Sequence, residues 1–192
     1  MRRRIFIAIN LPEDIKKKLQ ECQQEWSDLP VRFTKKNSLH LTLYFIGYVS
    51  DEEMLRVCQV TREVAQKYDS FAISFNRICL GPPGRPPRLI WLEGEKNDAL
   101  FNLKIDLENS LMGGEKDLRF FAEAEKQTSK FIPHITLARI RQMAWKQLQK
   151  KPVVEKEILI SVPVNSIEVM ESDLKRDGVE YIILETAVLG KN

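Results

Sequence analysis

The chain contains only two histidines, His40 and His134. Each opens the same kind of tetrapeptide, His40-Leu41-Thr42-Leu43 and His134-Ile135-Thr136-Leu137, a His-φ-Thr-φ pattern with φ aliphatic. At ordinary residue frequencies a histidine has this context roughly once in a hundred, so both having it by chance is on the order of one in ten thousand. In a strand, residues i and i+2 share a face, so each motif sets an imidazole beside a hydroxyl while its aliphatic residues face the core. An imidazole titrates near neutrality, so one can take a proton while its twin gives one. The hydroxyls can donate to oxygens that gain charge. That set suits cleavage of a cyclic phosphodiester, in which the entering water and the departing ribose oxygen lie on opposite sides of phosphorus. A lone strand histidine is more often a packing residue, and threonine is a good strand former in its own right. The duplication reverses those odds.

Two copies of one motif, far apart in the chain, suggest two similar lobes facing each other across a cleft. The flanking sequence supplies them. Arg4–Asn10 alternates, with Ile5, Ile7 and Ile9 on one side, and reads as a strand. Pro12 opens a helix with Glu13 and Asp14 in its first turn and Ile15, Leu19, Cys22 and Trp26 on one stripe. Leu39–Tyr48 is an apolar strand, and Ser50 with Glu53 forms a capping box for a second helix. Phe71–Leu80 and Arg88–Glu93 read as strands around an exposed loop, Gly81–Pro87. Asn97 caps a third helix carrying Leu100, Leu103, Leu107 and Leu111, stopped by Gly113-Gly114. Phe131–Ile140 is a strand, followed by a short helix near Gln142–Gln149. Glu157–Val162, Ser166–Glu171 and Val179–Val188 close the chain as strands, with Asp177-Gly178 as a hairpin turn. The expected class is α+β, mainly antiparallel, with about nine strands and three or four helices on the outside, in a single unit over residues 1–192.

At 192 residues and 43% hydrophobic content the chain can bury a sizeable core. Its net charge of +3 allows a phosphate-bearing partner without demanding one. Cys22, Cys58 and Cys79 are an odd number without C-x-x-C spacing, so they read as buried free thiols rather than a disulfide framework or a zinc site. The apolar run Ile5–Ile9 is too short for a signal peptide, and no stretch approaches the roughly 20 apolar residues of a membrane span. A cytoplasmic protein without membrane attachment is the expectation.

The paired motifs resemble the signature of the two-histidine phosphoesterase superfamily. Within it the chain is similar to the RNA 2′,3′-cyclic phosphodiesterases, also called 2′-5′ RNA ligases, through RIFIAINLPED, SLHLTLYFIG, PPRLIWLEGE and FIPHITLARI. The resemblance implies a bilobal fold of two mainly antiparallel sheets related by pseudo-twofold symmetry. It implies opening of a terminal 2′,3′-cyclic phosphate to a 2′-phosphomonoester, with 2′-5′ ligation as a secondary activity. It assigns His40 as proton donor to the departing 3′ oxygen and His134 as proton acceptor from water, a split the residues alone leave open. It places Thr42 and Thr136 on the phosphate, and Arg139 and Phe45 at substrate-binding positions. By strict alternation Arg139 points away from His134, so a strand end, twist or bulge is needed to bring it round. Tyr44 shares the face of His40 by parity and could stack on a base, whereas Phe45 could equally pack in the core.

No cofactor and no metal are expected, because neither motif supplies H-E-x-x-H, D-x-D or a third histidine. The expected partners are single-stranded RNA ends carrying a 2′,3′-cyclic phosphate, or cyclic nucleotides, met by a monomer. The alternative from another class is a non-catalytic RNA-end-binding module, which would keep the threonines and basic residues but has no reason to keep two imidazoles.

Overall fold

A computed structural model describes residues 2–112, 131–175 and 178–190. The elements run β1 (Arg3–Asn10), α1 (Glu13–Gln23), β2 (Val31–Phe33), β3 (His40–Val49), α2 (Asp51–Ala65), β4 (Phe71–Gly81), β5 (Leu89–Gly94), α3 (Asp98–Met112), β6 (His134–Ile140), α4 (Gln142–Gln147), β7 (Glu155–Val164), β8 (Ser166–Lys175) and β9 (Gly178–Val188). The local signals act as their chemistry dictates. Ser50 and Glu53 satisfy each other's backbone N–H in a capping box, and Asn97 Oδ1 accepts from Leu100 N at 2.9 Å.

The strands lie in the order β7-β4-β5-β6-β3-β1-β8-β9, with β2 beside β6. Every pairing is antiparallel. The order is symmetric about its centre. One half is β3, β1, β8 and β9, the other β6, β5, β4 and β7, and each has a motif strand innermost. The two expected sheets are thus halves of one α+β sheet, and among the described residues β3 and β6 join them at a single pair, Leu41 with Ile135. Those are the second residues of the two motifs, so the seam runs through the site itself. The chain crosses between halves after α2 and returns through β8 and β9, so neither lobe is a continuous stretch of sequence.

Ile5, Ile7 and Ile9 enter the main core, together with Leu19 of α1, Val64 of α2 and Leu103 of α3. Phe6 and Ala8 alternate onto the opposite face, where they pack with Met170 and Tyr181. One face of the sheet therefore carries the helices and the other carries the cleft. Among the described residues no helix is long and apolar enough to cross a membrane.

Three local readings are refined. β2 lies outside the expected strands, because three residues after Pro30 carry too little periodicity to register. Gly81 ends β4 rather than opening the loop, and Arg88 N bonds its carbonyl at 2.8 Å to close residues 82–87. Cys22 and Cys58 are buried free thiols, but Cys79 is only partly buried. The helix stop at Gly113-Gly114 and the turn residue Asp177 lie outside the described residues.

Candidate active site

His40 and His134 begin β3 and β6 and are held in the same way. The Nδ1 of His40 lies 2.8 Å from the Ser38 carbonyl, and that of His134 lies 2.8 Å from the Ile132 carbonyl. A carbonyl only accepts, so both Nδ1 atoms carry hydrogen and each neutral ring offers the Nε2 lone pair. Along the next residues burial takes one pattern in both strands: histidine and threonine partly exposed, the aliphatics buried, and the residue five after each histidine exposed.

That last position shows what strict alternation misses. Ala8 pairs with Thr42 and Ile7 with Tyr44, which leaves Leu43 as an extra residue. Trp91 pairs with Thr136 and Ile90 with Ala138, which leaves Leu137 as its counterpart. A bulge reverses the parity of the residues beyond it. Phe45 and Arg139 therefore return to the face of their histidines, and both line the cleft. The same slip corrects the reading of Tyr44. It turns away from His40 into the core, at 3% exposure, with Lys104 Nζ 5.9 Å from its ring centroid.

The Leu137 bulge is clamped from behind. Gln23, on α1 and buried, donates its amide to the carbonyls of Leu137 at 2.8 Å and Thr34 at 2.9 Å. Thr34 N bonds the same Leu137 carbonyl at 2.8 Å. These bonds satisfy a carbonyl that the irregular ladder would otherwise strand in the core.

The cleft between the motif strands has a volume of about 500 Å³ and is lined by His40, Thr42, His134, Thr136, Phe45 and Arg139. Six of the seven site residues read from the sequence thus share one cavity. The family profile described as LigT like Phosphoesterase matches residues 9–91, which includes the first motif. The chain is 29% identical to the RNA 2′,3′-cyclic phosphodiesterase of Methanothermobacter thermautotrophicus over 178 residues, 92% of this chain and 90% of the relative. It is 26% identical to the enzyme of the same name from Thermotoga maritima, over 94% of this chain and 92% of the relative. Among solved structures it superposes on TT0787 of Thermus thermophilus with a TM-score of 0.82 at 25% identity, covering 98% of this chain and 99% of that one. Escherichia coli LigT shares the fold, with a TM-score of 0.75 at 22% identity over 100% and 99% of the two chains. The chain is thus similar to the LigT-like phosphoesterases in its first motif region and in its fold.

The two imidazoles sit among different neighbours. The His40 ring packs on Phe6 and Tyr181, with centroids 5.0 and 4.9 Å away, and its Nε2 lies 3.1 Å from Thr42 Oγ1. Burial, then the positive charge of Arg139, His134 and Lys16, pushes its pKa down to about 4, against the Ser38 carbonyl bond that favours protonation. The His134 ring packs on Trp91 at 4.2 Å. Burial lowers its pKa too, opposed by the Ile132 carbonyl and the Glu93 carboxylate. Glu93 pairs with His134 across β5 and β6. It is held by Arg77 at 2.5 Å and lies 3.6 Å from the Cys79 thiol, which accepts from Trp91 Nε1 at 3.1 Å. Gly81 makes room for that indole, since a Cβ there would overlap the ring.

Sequence reading misses Phe6, Trp91, Tyr181, Arg32 and Lys104 in and around the cleft. Phe6 and Trp91 look like ordinary strand aromatics, and Tyr181 arrives from the far end of the chain. Lys104 sits on an apolar helix beside Glu108, its ion-pair partner, and only the tertiary structure brings it to the cleft.

Proposed function

We propose that this protein is a phosphoesterase that hydrolyses RNA 2′,3′-cyclic phosphate ends to 2′-phosphomonoesters by metal-independent acid–base catalysis. The observation that carries the reading is the matched pair of Nδ1–carbonyl bonds, which commits both Nε2 atoms to one cleft. The relatives' shared name, RNA 2′,3′-cyclic phosphodiesterase, supplies the substrate class. Among the described residues no group of three His, Cys, Asp or Glu could hold a metal ion.

His134 Nε2 takes a proton from water as its oxygen attacks phosphorus. The P–O3′ bond opposite breaks, and His40 Nε2 delivers a proton to O3′. Thr42 and Thr136 donate to the non-bridging oxygens as charge builds there. The unlike neighbours of the rings favour this division. His40, lower in pKa, is the stronger acid once protonated, and His134, beside Glu93, is the stronger base. The cost is population, because the reactive form carries its proton on the less basic ring. Phe45 offers a face for the terminal base, which must be unstacked and so single-stranded to reach it. A 5′-hydroxyl in place of water would give a 2′-5′ linkage as a secondary reaction. Both lobes are needed, so the whole chain acts as one unit, and a monomer suffices.

The test is incubation of a dinucleotide ending in a 2′,3′-cyclic phosphate with the protein in excess EDTA. The expected product is the 2′-phosphate, lost in His40→Ala and in His134→Ala. A 3′-phosphate product, abolition by EDTA, or tight binding without turnover contradicts the reading; the last would make the protein an RNA-end-binding module.

A further inference from the structure

The cleft has a charged end that acid–base chemistry at one phosphorus does not use. Arg32 of β2 and Arg139 of β6 are direct cross-strand partners, and both line the cavity. Like charges placed opposite each other in a ladder repel and destabilise the pair. Among the described residues no ion-pair partner relieves the repulsion. Neither arginine has a salt bridge or side-chain hydrogen bond among the described residues, and no described cleft-lining residue is a carboxylate. Lys35 lines the same side. The counterpart of Arg139 in the other lobe is Phe45, which pairs with Phe6, their centroids 5.7 Å apart, where Arg139 pairs with Leu89 on β5 and with Arg32 on β2. The paired arginines thus belong to one lobe and the Phe6–Phe45 ring pair to the other, although Phe33 and Phe131 also line the arginine side and Arg4 the side of Phe45. The terminal nucleotide of an RNA has the matching polarity when its reacting phosphate lies between the histidines. Its base leaves in one direction and its 5′ phosphodiester in the other. At about 3.3 Å per residue, Arg139 lies some 7–10 Å along β6 from Thr136, a separation comparable to that between neighbouring phosphates in a strand.

We propose that Arg32 and Arg139 form a second anion site that takes the phosphodiester on the 5′ side of the terminal nucleotide, so that the preferred substrate is an oligonucleotide end rather than a cyclic mononucleotide. The inference rests on the phosphodiesterase reading and adds the neighbouring phosphate to it. Two guanidinium forks can hold one phosphodiester, with one donor pair for each non-bridging oxygen. Arg32 owes its place to β2, whose only strand partner among the described residues is β6; on this account the short strand is present to carry that charge.

The test compares adenosine 2′,3′-cyclic phosphate with adenylyl-adenosine 2′,3′-cyclic phosphate, in wild type, Arg32→Gln and Arg32→Lys. The expected wild-type kcat/KM favours the dinucleotide by tenfold or more, a preference that collapses in Arg32→Gln and is partly kept in Arg32→Lys. The slope of log kcat/KM against log salt for the dinucleotide should lessen by about 0.7 in Arg32→Gln, the value for one fewer neutralised phosphate on a single strand. Equal wild-type rates on both substrates, or a preference untouched by Arg32→Gln, would overturn the proposal. If neither substrate turns over, the phosphodiesterase reading fails by itself. The anion site is then judged by binding of the 2′-phosphorylated dinucleotide, expected to weaken about tenfold in Arg32→Gln and overturned by an unchanged affinity.

Discussion

Asn10 and Glu93 occupy the same place in the two lobes, each paired across the neighbouring strand with the motif histidine, Asn10 with His40 and Glu93 with His134. One is neutral and the other carries a charge. The sheet repeats its order, its bulges and its Nδ1 bonds in both halves, so the backbone alone would make two like imidazoles. The difference comes from side chains at equivalent positions. His40 sits within reach of the field of Arg139 and Lys16, whereas His134 faces a carboxylate. Symmetry delivers two rings to one phosphorus, and the breaks in symmetry divide the labour between them.

The largest expected effect comes from deleting either ring. His40→Ala and His134→Ala should each lower kcat by about 10²–10⁴-fold, and the double variant by little more, because the two act on one step. Additive losses in steady-state assays would mean that the rings serve different reactions. Thr42→Val and Thr136→Val come next. Each removes one donor to the charged phosphate oxygens, and the loss should be near the lower end of the about 10²–10³-fold seen for a single oxyanion donor. A loss confined to KM would place them in ground-state binding only.

Gln23→Leu tests the bulge from a distance. It strips the amide donor from the Thr34 carbonyl and one of the two donors from the Leu137 carbonyl, which keeps Thr34 N, and should cost toward the lower end of about 1–3 kcal/mol of stability in denaturant unfolding. It should also weaken RNA binding through Arg139 more than it changes turnover of bound substrate. Unaltered stability would show that the bulge needs no clamp.

The comparison is sharpened by pH. Both rings are held below 6.5, His40 at about 4. The free protein carries a single proton on the pair only between those limits. As pH rises through the His134 value the donor is lost, and as it falls through about 4 the acceptor is lost. The kcat/KM profile is therefore expected to be bell-shaped with an acidic maximum, and a profile flat from neutrality upward would contradict it. Glu93→Gln removes the charge that supports His134 protonation and should move the alkaline limb to lower pH. Arg139→Gln relieves His40 and should move the acid limb to higher pH. Shifts in the same direction would mean that the lobes are not electrostatically distinct.

Much of the site is legible in the sequence because it is written in short words. His40, Thr42, His134 and Thr136 come from period-two geometry, and the Ser50–Glu53 box and the Asn97 cap from local hydrogen bonding. Parity fails at Leu43 and Leu137, since a bulge is a property of two paired strands rather than of one. Hence alternation alone puts Tyr44 on the wrong face and gives Arg139 a position without a mechanism. Glu93 and Arg32 become meaningful only through registers between distant segments, which no spacing along the chain encodes.

The division of roles between the two rings can be read with one substrate, a 2′,3′-cyclic phosphate end whose 3′ bridging oxygen is replaced by sulfur. A thiolate leaves without a proton, so the general acid becomes dispensable. His40→Ala should recover most of the wild-type rate on the sulfur substrate, while His134→Ala should stay inactive. Recovery by His134→Ala instead, or by neither variant, would contradict the assignment of donor to one lobe and acceptor to the other.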